Sequence, residues 1–94
     1  MKKAVLDLSH CKYIYEIHRN IKEALALPDH YGSNLSALWD CINRDCEFDF
    51  ISISGLSTLP KELIEYMDRV LEILERNKNY WANSSTPFDY EIKE

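Results

Sequence analysis

Glycine is almost missing from this sequence: Gly32 and Gly55 are the only two in 94 residues. A loop that cradles phosphate needs several glycines at fixed spacing, so that backbone N–H groups can approach the anion, and the nucleotide-binding loops of that kind are excluded. Cysteine is sparse too. Cys11, Cys41 and Cys46 are odd in number and irregular in spacing, which is no disulfide framework and reads as buried thiols. A zinc site would have to join His10 and Cys11 to Cys41 and Cys46 across 30 residues, without the short gap between cysteines that marks such sites. No metal and no other cofactor is expected. No apolar run approaches the roughly 20 residues of a membrane span, and the opening MKKAVLDLS lacks the long apolar stretch of a signal peptide, so a cytoplasmic protein without a membrane partner is expected.

Positive charge is in the minority, with 11 Lys and Arg against 16 Asp and Glu, a formal net charge of −5. Phosphate backbones are bound by clustered cations, so this balance disfavours nucleic acid and favours a basic protein partner. Hydrophobic residues make up 46% of the chain and charged residues 29%, the profile of an ordered globular protein. The length fits one domain over residues 1–94.

KAVLDL (3–8) reads as a short buried strand. Ile14, Ile17, Ile21, Ala24 and Leu25 then recur at the spacing of one helix face, predicting a helix over 13–26 that must stop before Pro28. His18 borders that face as a satisfied boundary residue. The loop PDHYG leads to a second helix over 34–44, capped by Ser33 or Asn34, with Leu35, Leu38 and Ile42 inward. At 100° per residue, Ser36, Trp39, Asp40 and Asn43 share a different side, with Trp39 half exposed at its edge. FDFISIS (48–54) alternates as a strand and ends at Gly55. A long third helix is predicted with Pro60 in its first turn, a cap candidate in Ser57 or Thr58 and an apolar stripe of Leu63, Met67, Val70, Leu71 and Leu74. Glu65, Asp68, Glu72 and Glu75 form its solvated flank. FDYEIKE reads as a final edge strand. The order strand, helix, helix, strand, helix, strand favours a two-layer α/β domain, with three parallel strands and three to four helices joined by right-handed crossovers.

For catalysis the chain offers His10, His18 and His30 with Asp29 and Asp40, but no spacing links them. No nucleophile motif is present, and no small-molecule substrate is implied. A binding surface explains more: Tyr31 and Trp39 beside the helical carboxylate of Asp40 have the composition of an interface hot spot aimed at a cationic site. The alternative at this level is that Trp39 is a boundary core residue and Asp40 is merely solvated.

The stretch ALALPDHYGSNLSALWDC (24–41), with the opening KKAVLDL, closely resembles the barstar family of intracellular inhibitors of secreted barnase-like bacterial ribonucleases. The resemblance is specific over 24–41 and weaker through VLEILERNK to the end. It implies the same three-stranded parallel sheet and an immunity- or antitoxin-type role. In such inhibitors the second helix and its preceding loop plug the nuclease active site in a 1:1 complex, and one helical aspartate takes the place of the RNA phosphate. Asp40 is the matching residue. Tyr31, Gly32, Asn34, Leu35, Trp39 and Asp40 keep the family's types. His30 replaces a second loop aromatic, Ser36 a second helical acid and Asp45 a tryptophan after the helix. An acid on the late helix falls on Arg76, or on Glu75 if the register shifts by one. The implied partner is a basic ribonuclease that need not be barnase. The rival implication is a barstar-like module without inhibitory action that serves as a regulatory or scaffolding domain.

Overall fold

Three parallel five-residue strands form one sheet in the computed structural model, which describes residues 2–44 and 46–93. β1 (Lys3–Asp7), β2 (Phe50–Ser54) and β3 (Asp89–Lys93) lie side by side in chain order, with Leu6 opposite Ile53 and Ile53 opposite Ile92. Asp45, expected at the partner-binding face, lies outside the described residues. Strand alternation sends Ala4, Leu6, Ile51 and Ile53 into the core. The other face mixes Val5 and Phe50 with polar residues: the Ser52 hydroxyl donates to Glu91, whose carboxylate also lies 3.8 Å from Lys3 Nζ. Parallel strands need long crossovers, and three helices supply them: α1 (Ile14–Ala24), α2 (Leu35–Arg44) and α3 (Lys61–Tyr80). This is the α/β architecture that the order of elements predicts. No helix among the described residues is long and apolar enough to cross a membrane.

The element ends depart from expectation for identifiable reasons. α1 stops at Ala24, not Ala26, because Ala26 turns left-handed at φ 51°. The Leu27 N–H then donates to the Lys22 carbonyl and the Ala26 N–H to the Glu23 carbonyl, which closes the helix before Pro28 is reached. β2 starts at Phe50, not Phe48, because the N–H groups of Asp49 and Phe50 both turn to the Lys2 carbonyl. Ser57 and Thr58 do not cap α3. They lie in a short 3-10 turn (Leu56–Thr58), where the Thr58 hydroxyl donates to the Gly55 carbonyl, and Pro60 itself occupies the N-cap position. Gly55 has φ 84°, and a Cβ there would stand 2.5 Å from the Ser9 backbone nitrogen.

Two backbone substitutions test this account in opposite directions. Ala26→Gly relieves a left-handed alanine outside the helix and, net of the added freedom of the unfolded chain, should stabilise by about 0.5–1 kcal/mol. Gly55→Ala should destabilise by at least about 1–2 kcal/mol. Thermal melts measure both, and a lower melting temperature for Ala26→Gly would refute the proposed helix end.

Candidate functional site

The loop before α2 is shaped from within. Leu27 and Tyr31 are both buried, and a turn closed by the Tyr31 N–H on the Pro28 carbonyl, at 3.0 Å, leaves His30 between them in solvent. The expectation that Tyr31 pairs with Trp39 on the surface is corrected: only 6% of Tyr31 is exposed. A buried phenol needs a hydrogen-bond partner. Its hydroxyl lies 2.5 Å from Nδ1 of His18, and Nε2 of the same ring lies 2.6 Å from the Tyr66 hydroxyl on α3.

His18 is fully buried and sits at no boundary. A neutral imidazole has one donor and one acceptor, and two tyrosine hydroxyls satisfy both. Burial holds the His18 pKa below its ordinary value, because the charged ring loses its hydration there. Burial likewise raises Tyr31 and Tyr66. All three groups are therefore neutral, and the network is structural.

Downstream, Asn34 caps α2: its Oδ1 accepts the Ala37 N–H at 2.8 Å, and its Nδ2 donates to the Gly32 carbonyl. The capping amide is thereby committed within the fold. Ser33 precedes it in a left-handed conformation, φ 54°. Leu38, Cys41 and Ile42 face the core while Leu35 is half-buried. Asp40 is exposed, and among the described residues its carboxylate has no hydrogen-bond or ion-pair partner.

Two shallow grooves flank Asp40. One is lined by Leu35, Ser36, Trp39, Asp40, Ile73 and Arg76, the other by His30, Gly32, Ala37, Asp40, Cys41 and Arg44. Asp40 is the residue common to both. An acidic helix-and-loop face was expected here, yet the two grooves hold one carboxylate and two guanidiniums. The carboxylates of the expected acidic flank, Glu65, Asp68 and Glu72, are exposed on α3 and line neither groove.

The far wall is built by α3. Arg76 lies over the Trp39 ring, its guanidinium carbon 4.3 Å from the centroid. Tyr80, one turn on, meets Trp39 edge to face at 6.2 Å. Glu75 points elsewhere, its Oε1 accepting the Tyr90 hydroxyl of β3 at 2.8 Å. That bond, after burial, pushes the Tyr90 pKa up to about 12. Arg76 therefore lines the groove beside Asp40, and Glu75 does not.

Of the residues expected at the site, His30, Gly32, Leu35, Ser36, Trp39, Asp40 and Arg76 come together around the two grooves. Tyr31, Asn34, Asn43 and Glu75 serve other contacts. Asn43 reaches Asn77 at 3.5 Å in the seam between α2 and α3. Ala37, Cys41, Arg44 and Ile73, which line the grooves, and Tyr80, which packs on Trp39, were missed. Arg44 was legible as i+4 from Asp40 and Tyr80 as i+4 from Arg76, whereas Ile73 needed the packing of α3 on α2.

Comparison with known proteins follows the same lines. The family model described as Barstar (barnase inhibitor) matches residues 1–93. A protein of Bacillus subtilis (strain 168) named "Putative ribonuclease inhibitor YrdF" is 32% identical over 76 residues, which cover 80% of this chain and 84% of that one.

The His18 network has a pH consequence. Its folded pKa lies below the ordinary 6.5, so the unfolded chain binds the proton first as pH falls, and stability is lost below about pH 6.5 until the folded ring also titrates. Denaturant unfolding at pH 7 and pH 5 should show this loss. His18→Gln should be less stable at pH 7 but lose less between the two, and an unchanged loss would remove His18 as its cause.

Proposed function

The chain belongs to the barstar family, and on that premise we propose that it is a proteinaceous inhibitor of a basic, barnase-like bacterial ribonuclease. The observation that carries the reading is Asp40: an exposed carboxylate on a capped helix, between two grooves, with no partner of its own among the described residues. A nuclease holds arginines, lysines or histidines ready for phosphate, and a carboxylate delivered rigidly among them forms charge-assisted bonds in a cleft that the surrounding side chains keep dry. Trp39 and Leu35 supply the apolar contact that excludes water around that bond.

In this proposal the loop carrying His30 and Gly32 and the exposed side of α2 enter the active site, and the complex is 1:1. The protein needs no cofactor and performs no reaction: it occupies a site where chemistry would otherwise occur. It acts in the cytoplasm, as an immunity or antitoxin protein guarding against a secreted or delivered enzyme.

RNA cleavage by a panel of purified basic bacterial ribonucleases, barnase included, tests the proposal. At least one should be inhibited, and Asp40→Ala should weaken that complex by roughly 2 kcal/mol or more, about thirtyfold. Inhibition undiminished in the variant would remove Asp40 from its role. Absence of inhibition across the panel would favour a barstar-like module that does not inhibit.

A further inference from the structure

The grooves beside Asp40 are not those of a purely anionic plug. Arg76 stands on the α3 side of the same groove, its guanidinium carbon over the Trp39 ring at 4.3 Å from the centroid. Glu72 and Glu75 neighbour it on its own helix, yet among the described residues Arg76 has no ion pair, and Glu75 is engaged by Tyr90 instead. A guanidinium held over an aromatic ring by its carbon keeps N–H donors that the ring does not consume, and these remain available to a carboxylate. The stack also removes much of the rotamer freedom that an exposed arginine would lose on binding.

Tyr80 extends this surface. It is 62% exposed, packs edge to face on Trp39, and leads to Trp81 at 5.1 Å. Arginine, tyrosine and tryptophan are the residues most enriched where binding energy concentrates, and here they are contiguous with the groove that contains Asp40. On α2, Leu35 and Ser36 line the same groove, with Asp40 as its one acid.

We infer that Arg76, held on Trp39 and flanked by Tyr80, is a specificity-determining cation that pairs with a carboxylate on the ribonuclease, beside the cations that meet Asp40. The inference rests on the inhibitor reading above and deepens it: the partner presents a mixed surface, positive opposite Asp40 and negative opposite Arg76. A nuclease that cleaves RNA by general acid–base chemistry requires a base to take a hydroxyl proton, and a carboxylate among phosphate-binding cations is a common form of that base. Partners with an uninterrupted positive surface at this point are disfavoured, because like charge would be buried against Arg76.

The test uses the full chain and the panel ribonuclease that it inhibits most strongly. Arg76→Glu should weaken inhibition at least tenfold, Arg76→Gln about threefold to tenfold, and Tyr80→Ala in the same direction. Because these residues are exposed, thermal melts should stay close to that of the parent, and Arg76→Gln carries the test should the charge reversal impair folding. Acids on the nuclease are then neutralised one at a time. One such variant should bind the parent inhibitor more weakly while leaving Arg76→Gln almost unaffected. Equal or tighter binding by both Arg76 variants, with Asp40→Ala still weakened, overturns this inference and leaves the inhibitor reading standing. Failure of the parent to inhibit any member overturns both.

Discussion

One buried imidazole holds three parts of the molecule at a single point. His18 belongs to α1, Tyr31 to the loop before α2 and Tyr66 to α3, and the two hydroxyls exhaust the hydrogen-bonding capacity of the ring. Hydrophobic packing is non-directional and tolerates small rotations of a helix, whereas a buried polar group left without its partner is costly. The network therefore sets the position of Tyr31 more tightly than burial alone could. From Tyr31 only two residues separate the anchor from the Asn34 cap, and the cap sets the first turn of α2. The direction in which Asp40 leaves the helix is thus decided on the opposite side of the loop from solvent.

Much of the architecture was legible because periodicity reports burial directly. Leu63, Met67, Val70 and Leu74 are buried as their spacing requires, and the helical wheel correctly grouped Ser36, Trp39 and Asp40. What was not legible depended on partners remote in sequence. An aromatic residue in a polar loop reads alike whether it faces a nuclease or a histidine, and the residues that settle Tyr31 lie 13 positions before it and 35 after it. Counting along α3 could not separate Glu75 from Arg76, since both are exposed. The Tyr90 hydroxyl and the Trp39 ring separate them. The end of α1 was misplaced because alanine rarely turns left-handed, and the pattern holds no sign of it.

Net charge and local charge give different information here. The excess of acids, −5 over the chain, acts at long range and favours encounter with any basic protein, within a screening length of about 8 Å at physiological salt. The grooves beside Asp40 act at contact, and there Arg44 and Arg76 outnumber the single carboxylate. A protein can attract many basic partners with its overall field and accept few of them at its surface. Reading composition alone merges these two scales, and the sequence-based expectation of an acidic face did so.

The open parallel sheet has two edges, and parallel order gives no closure. β1 ends in Lys3 and Asp7 about the exposed Val5, while β3 alternates Asp89, Glu91 and Lys93 with Tyr90 and Ile92. A strand from another molecule docking on either edge would have to strip water from charges of both signs, Lys3 and Asp7 on β1 and Asp89, Glu91 and Lys93 on β3. On the outer face Lys3, Ser52 and Glu91 are bonded across all three strands, which carries polar contacts over the flat of the sheet. Charge at both edges thus raises the cost of strand-to-strand recruitment between copies of the protein.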